Sequence, residues 1–305
     1  MTVLLIGLGS IAKKHIRALK TIDKNIRITA LDTVSKTDED IEGGKTISSF
    51  DQLKEPPGFI LISNPTKFHE TTIRQALRFQ VPLFIEKPPL MDLSGYVSLS
   101  ADIENLGITT YVGYNMRFHP IIRFLKEHVT ADQIIEANIY CGSYLPEWRP
   151  DVDYRQSYSA RSETGGGVHL DLIHEIDYTY WLLGAPAATS KITKKVSNLE
   201  INSMDYAHYQ LDYLTFAANI TLNYYRRQKK REIEFIFNNG IWNADLLTGE
   251  IHDHTGKMIF QSKPDIAQTY VDQMRYFIRG MQHPDQPMMN NFQEAVNVLK
   301  ICLHE

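Results

Sequence analysis

The opening part of the chain consists of short, unbroken apolar runs separated by amphipathic stretches. Val3–Gly7, Ile26–Leu31, Phe59–Ser63, Pro82–Ile85 and Thr109–Gly113 read as strands. Between them, Ile11–Ile22, His69–Phe79 and Tyr96–Asn105 read as helices; in the first, Ile11, His15, Ala18 and Ile22 fall near one face. Strands that are apolar throughout and alternate with helices predict a parallel sheet covered on both sides. Right-handed crossovers make that sheet doubly wound. After a further helix over His119–His128 the texture changes. Ile134–Ser143, Tyr206–Leu214, Phe216–Tyr225, Arg231–Phe237 and Ile241–Leu246 alternate, and Asn239-Gly240 and Thr248-Gly249 are turn signals. These predict antiparallel strands. One long helix over Val168–Leu183 precedes most of them, and helices over Ile266–Met281 and Asn291–Leu303 close the chain. The expected class is α/β: a doubly wound domain over residues 1–118, then an α+β domain over 119–305 with a large, mostly antiparallel open sheet.

Composition narrows the function. With 43% hydrophobic and 22% charged residues over 305 positions, the chain can bury real cores and is not a disordered or fibrous protein. The 32 basic and 36 acidic residues balance to −4, which gives no reason to expect nucleic acid and favours a small-molecule ligand. No apolar run approaches the ~20 residues that cross a bilayer, and the N-terminus lacks signal-peptide character. The two cysteines, Cys141 and Cys302, form no C-x-x-C pair. The expectation is a cytoplasmic protein with no membrane segment and no bound metal.

The strongest chemical signal is Gly7-Leu8-Gly9-Ser10-Ile11-Ala12, a G-x-G-x-x-A that follows the first strand and opens the first helix. Gly7 permits the tight turn, Gly9 lets the backbone approach a pyrophosphate, and Ala12 allows close helix–strand packing. The phosphates would meet the free N–H groups of the helix start. Asp32 ends the second strand, 20 residues after Ala12. A carboxylate there accepts both ribose hydroxyls and repels a 2′-phosphate, so NAD is expected over NADP, with nearby Lys36 softening the preference.

Further motifs fall in a fixed order. Ser63-Asn64-Pro65-Thr66 is followed by His69. Glu86-Lys87-Pro88 stands at a strand end, and Gly113-Tyr114-Asn115-Met116-Arg117-Phe118 closes the first domain. Gly165-Gly166-Gly167 precedes a helix carrying Asp171, His174 and Asp177. Together these resemble the Gfo/Idh/MocA oxidoreductases, the family of glucose–fructose oxidoreductase and inositol dehydrogenase. The resemblance implies a Rossmann domain followed by a sheet domain whose open face makes homodimers or homotetramers. It implies hydride transfer between a nicotinamide and a sugar, sugar acid, nucleotide sugar or polyol. It places Gly7, Gly9, Ser10, Ile11, Ala12, Asp32, Asn64, Pro65, Thr66, His69, Glu86 and Lys87 around the cofactor. Lys87 would lie near the nicotinamide and the reacting oxygen, His174 would be the acid/base and Asp171 its acidic neighbour. Asn115 and Arg117 would join them at the substrate. The family usually spaces this Asp and His four apart, whereas Asp171 and His174 are three apart. Either the turn is rearranged or Asp177 holds the imidazole instead.

The residue types suit that chemistry. Histidine titrates near neutrality and can take or return a hydroxyl proton, and an ammonium can stabilise developing alkoxide charge. Tyr144–Arg161 is rich in aromatic and guanidinium groups. Trp148 or Tyr154 could stack on a sugar ring, and Arg149, Arg155 or Arg161 could pair with an anionic group; the rival is a packed loop with salt-bridged arginines. The glycine triplet either lets backbone approach substrate or tightens the path into the helix. His169 reads as structural. Arg226–Arg231 reads as a solvated hairpin end, and His252-Asp253-His254 lacks further ligands at metal spacing. Two other functions stay open: a redox-assisted lyase or hydrolase without net oxidation, and a non-catalytic dinucleotide-binding regulator.

Overall fold

A computed structural model describes residues 1–31, 44–283 and 285–304. They form two units, Met1–Asn115 with Ile266–Leu299, and Met116–Asp265 with Lys300–Glu305.

In the first unit the continuous apolar runs become β1 (Thr2–Ile6), β2 (Arg27–Leu31), β4 (Phe59–Ile62), β5 (Leu83–Ile85) and β6 (Thr110–Val112), with β3 (Gly44–Ile47) added at one edge. All pair parallel, in the order β3-β2-β1-β4-β5-β6. The strand order reverses beside β1, which is where doubly wound sheets bind dinucleotides. Helices α1 (Ser10–Ile22), α2 (His69–Leu77) and α3 (Tyr96–Asn105) are crossovers. The terminal residues 266–299, expected in the second domain, belong to this unit. The reason is apolar: Phe277 packs edge-on against Phe59 and Phe84 at 5.0 and 5.4 Å. Backbone pairing adds to it. Val112 N–H donates to Asn290 O at 2.9 Å, and Asn290 Nδ2 donates to Val112 O at 2.6 Å.

In the second unit the alternating runs build a sheet of β7 (Ile134–Tyr144), β8 (Ala188–Lys194), β9 (Tyr206–Asp212), β10 (Ala217–Asn223), β11 (Tyr225–Phe237), β12 (Gly240–Asp245), β13 (Glu250–Asp253) and β14 (Met258–Gln261). Its order is β14-β13-β12-β11-β7-β10-β9-β8, antiparallel except where β10 pairs with β7. One face buries Ala137, Ile139, Tyr209, Leu211, Ile220 and Phe235. The other is polar: Asn138 Nδ2 donates to Glu136 and Glu234, and Asn219 donates to Asn138. The helices are α4 (Pro120–His128), α5 (Val168–Asp171) and α6 (His174–Leu183), followed in the chain by α7 (Ile266–Gly280) and α8 (Phe292–Leu303). Two expectations are corrected here. Val168–Leu183 is not one helix; it breaks at Leu172–Ile173. Arg226–Arg231 is not a hairpin end but part of β11. The Arg227 guanidinium lies 3.6 Å from the Tyr144 ring centre, and Arg226 lies 5.2 Å from that of Tyr140, so these two cations stack on aromatic faces while Arg227 and Lys229 stay exposed.

Candidate active site

The glycine turn in the first unit has the conformation its sequence requires. Gly7 has φ +91°, and a Cβ there would meet Asn64 Cα and N at 2.7 Å. Gly9, the residue before α1, has open space where its side chain would be. No side chain caps α1, and its first turn carries no acid. Its free N–H groups and positive dipole end therefore face open space beside a closely approachable backbone, which suits a pyrophosphate. Ala12 is fully buried, Ser10 is exposed and Ile11 is half-buried. Asp32 and Lys36, which carried the choice of NAD over NADP, lie outside the described residues.

The loops after β4 and β5 join this turn. Ser63 Oγ donates to Gly7 O at 3.2 Å, and Asn64 Nδ2 donates to Thr72 Oγ1 at 2.8 Å. Asn64 Oδ1 is buried without a protein partner, as an acceptor awaiting a ligand donor would be. Pro65 is exposed and Thr66 buried. His69 and Glu86, expected at the cofactor, turn their polar atoms to the protein instead. The buried His69 ring sits between two carbonyl oxygens, Asn64 O at 2.9 Å from Nε2 and Pro88 O at 3.0 Å from Nδ1. Burial holds its pKa below the ordinary value, against the pull of both carbonyls and of the Glu86 charge. A neutral ring donates to only one of them. Glu86 Oε1 lies 2.5 Å from Nε2 of the fully buried His15, and Glu86 Oε2 accepts from the Lys87 N–H at 3.1 Å. Lys87 is half-buried at the end of β5, and its peptide bond to Pro88 is cis. Asn115 is buried and donates to Thr269 Oγ1 at 2.7 Å.

In the second unit, Asp171 ends α5 and His174 begins α6, so their three-residue spacing spans a break and does not lie along one helix face. Both are half-buried. Asp171 Oδ2 accepts from Tyr224 O–H at 2.5 Å, and Tyr224 stacks edge-on against Trp148 at 5.3 Å. Burial and the Asp171 carboxylate raise the Tyr224 pKa well above its usual range, which keeps the phenol a donor. Asp177 is engaged elsewhere: its carboxylate takes Arg117 Nε and a terminal guanidinium nitrogen at 3.0 and 2.6 Å, both side chains being fully buried. Arg117, expected at the substrate, is thus a structural ion-pair residue, with Trp181 beneath its guanidinium. The glycine triplet serves packing within the protein. A Cβ on Gly166 would clash with the carbonyls of Tyr158, Arg161 and Ser159, and Gly167 has φ +136°.

The aromatic–basic loop folds as short turns around a small hollow lined by Leu145, Trp148, Arg149, Val152, Tyr154 and Ser157. Trp148 Nε1 donates to Ser143, and Tyr154 O–H accepts from the Glu200 N–H. Arg155 is a surface residue held by Asp153 and Glu200 at 2.9 and 3.0 Å, so its charge is already met by carboxylates. His169 is partly buried, and burial lowers its pKa to about 4. Sequence reading missed Tyr224 and the pairing role of His15. A lone histidine on an apolar helix face carried no chemical signal, and its partner Glu86 is 71 residues away.

This glycine turn at the strand-order reversal of a six-stranded parallel sheet defines a dinucleotide-binding domain of the Rossmann class. Residues 1–114 match the model of the oxidoreductase family's NAD-binding Rossmann fold, and residues 133–300 match that of its C-terminal alpha/beta domain. The chain belongs to the Gfo/Idh/MocA oxidoreductase family. It is 27% identical over 189 residues to the uncharacterized oxidoreductase YrbE of Bacillus subtilis, covering 59% of this chain and 53% of that protein. It is 23% identical over 206 residues to the glucose-6-phosphate 3-dehydrogenase of the same organism, covering 63% and 57%. The aligned stretch is therefore little more than half of either relative. The fold matches UDP-N-acetylglucosamine 3-dehydrogenase GnnA from Acidithiobacillus ferrooxidans with a TM-score of 0.81 at 18% identity, over 100% of this chain and 96% of that one. It matches myo-inositol 2-dehydrogenase from Lactobacillus plantarum with a TM-score of 0.79 at 19% identity, over 99% and 95%.

Proposed function

We propose that the protein is a dehydrogenase or reductase that uses NAD in preference to NADP and acts on a CH–OH group of a sugar, sugar acid, nucleotide sugar or polyol. The observation that carries this reading is the uncapped start of α1 beside Gly9, with Gly7 set against Asn64. Related proteins named as sugar and inositol dehydrogenases support the substrate class. The N–H groups of the first turn of α1 bind the pyrophosphate, and Asn64 accepts a donor from the dinucleotide. Asp32 takes the ribose hydroxyls. A bound nicotinamide supplies or accepts the hydride.

The chain's own residues manage the proton and the oxygen. The Lys87 ammonium holds the substrate oxygen and favours its alkoxide form. His174 takes the hydroxyl proton in oxidation and returns it in reduction. Asp171, whose Oδ2 accepts from the Tyr224 hydroxyl, is the acidic neighbour of His174. The polar face of the second sheet serves association into a homodimer or homotetramer. A panel of hexoses, inositols, sugar acids and nucleotide sugars, offered with NAD⁺ and followed by reduced-nicotinamide absorbance, tests the reading. Reduction with at least one panel member is expected. If no member is turned over by protein that binds NAD⁺, the assigned substrate class is wrong.

A further inference from the structure

Lys87 sits between two residues that are each gripped by a buried histidine of another element. On its N-terminal side, the Glu86 carboxylate meets His15 of α1 and also accepts the Lys87 N–H itself. On its C-terminal side, Pro88 O meets His69 of α2, whose other ring nitrogen meets Asn64 O. The side chain of His15 is fully buried and that of Glu86 is 8% exposed, while His69 is 1% exposed as a residue. Glu86 lies close against Gly113. A Cβ on Gly113 would lie 2.9 Å from Glu86 Oε1 and 3.1 Å from Phe84. His15 is in turn wedged edge-on between Phe84 at 5.0 Å and Tyr270 at 5.6 Å.

We infer that His15 and His69 are positioning residues that clamp the Glu86–Pro88 segment, fixing Lys87 relative to the glycine turn. The inference rests on the reading of Lys87 as the group that holds the substrate oxygen. The ring nitrogens of His69 both face backbone carbonyls, Nε2 of His15 faces Glu86, and Nδ1 of His15 is buried inside the protein. The clamp joins α1, whose start would hold the pyrophosphate, to Lys87 through the His15–Glu86 side-chain contact and the Lys87 N–H donating to the same carboxylate. A buried, charge-assisted contact of this kind fixes geometry because breaking it leaves a carboxylate unsatisfied in the interior. Catalytic groups tolerate little positional slack, so loosening the segment should cost rate more than binding.

The contact made by His15 uses Nε2, a position that a glutamine amide can occupy, so His15→Gln retains a donor for Glu86 and His15→Leu does not. His69→Leu removes the other grip. The full-length variants are compared by three measurements: the rate of Lys87 acetylation by an N-hydroxysuccinimide ester relative to Lys67, read by peptide mass spectrometry; NAD⁺ affinity; and turnover on a substrate found in the panel. His15→Leu and His69→Leu should change the Lys87:Lys67 labelling ratio at least ~3-fold and lower kcat at least ~10-fold, with NAD⁺ affinity held within ~3-fold. His15→Gln should restore most of the labelling ratio and kcat. An unchanged labelling ratio in both leucine variants, or a His15→Gln variant as impaired as His15→Leu, overturns the clamp. Should a leucine variant fail to fold, His15→Gln against His15→Asn gives the same comparison, since asparagine cannot reach the Nε2 position. Labelling needs neither cofactor nor substrate. A changed ratio in a protein without NAD⁺ binding would keep the clamp and remove the proposed function.

Discussion

In the first unit, the buried polar side chains that flank the glycine turn gather where strands β4 and β5 end. His15, His69, Asn64 and Glu86 all hold loops there; on either side of Lys87, His15 meets the Glu86 carboxylate and His69 meets Pro88 O. In the second unit, the prominent buried polar groups are paired charges within the scaffold. Arg117 meets Asp177, and Arg231 Nε meets Glu175 at 2.6 Å with the Glu175 side chain fully buried. The difference teaches where each unit is sensitive. A broken contact in the first should loosen the segment that carries Lys87, a cost in rate added to any cost in stability. A broken pair in the second leaves a lone charge in the interior, which costs several kcal/mol.

The largest effect that would sharpen this contrast is on rate. Lys87→Met and His174→Ala should each lower turnover by about 10²–10⁴-fold, the span typical of lost acid–base or charge-stabilising groups. NAD⁺ affinity and the urea midpoint should scarcely move. Either variant working at the wild-type rate would remove that residue from the chemistry. Next comes Asp177→Ala, which removes the carboxylate paired with the buried Arg117 guanidinium and should destabilise the protein by about 3–5 kcal/mol in equilibrium urea unfolding. A variant as stable as the parent would erase the distinction between the units.

His119 gives a pH-dependent test of the second unit. Its Nε2–H donates to Leu246 O at 3.1 Å, while Nδ1 accepts from the Ile121 N–H and caps α4. Burial and the nearby Arg231 charge lower its pKa to about 4 from an unfolded value of 6.5. Between those values the unfolded chain binds the proton and the folded one resists it. Stability is therefore full above about pH 6.5 and falls as the pH drops toward 4, with His119 contributing on the order of 3 kcal/mol. His119→Asn keeps a capping acceptor without a titrating ring, so its stability should fall less between pH 7 and pH 4.5. Parallel pH profiles for variant and parent would assign the acid sensitivity elsewhere. The smallest expected effect is at Arg155, which lies on the surface between two carboxylates. Arg155→Ala should leave the urea midpoint and the substrate KM unchanged. A raised KM would return this arginine to the substrate site.

The first unit was the more legible because most of its strand positions are apolar and buried, a nearly continuous signal. Only β3 escaped: Gly-Lys-Thr-Ile is short, half polar and at a sheet edge. In the second unit β8, β13 and β14 escaped: alternate residues of Ala188–Lys194 are exposed, and the other two are only four residues long. Arg226–Arg231 misled because charge density reads as a turn, whereas the run continues a strand, with Arg226 and Arg227 over the rings of Tyr140 and Tyr144, which lie far away in sequence. The glycine turn was readable because local conformation and chemistry coincide in six residues. The partners of Arg117, Glu86 and Asp171 were not, since each contact spans more than 50 positions.

The central claim is that the turn from Gly7 to Ala12 binds a nicotinamide dinucleotide. Titration calorimetry of the full chain with NAD⁺ and NADP⁺, beside Gly7→Ala, tests it most directly. The account predicts saturable NAD⁺ binding, at least ~10-fold weaker binding of NADP⁺, and loss of both in Gly7→Ala, where the new methyl would press on the Asn64 backbone. Absence of saturable heat with either dinucleotide in the unmutated protein would contradict it.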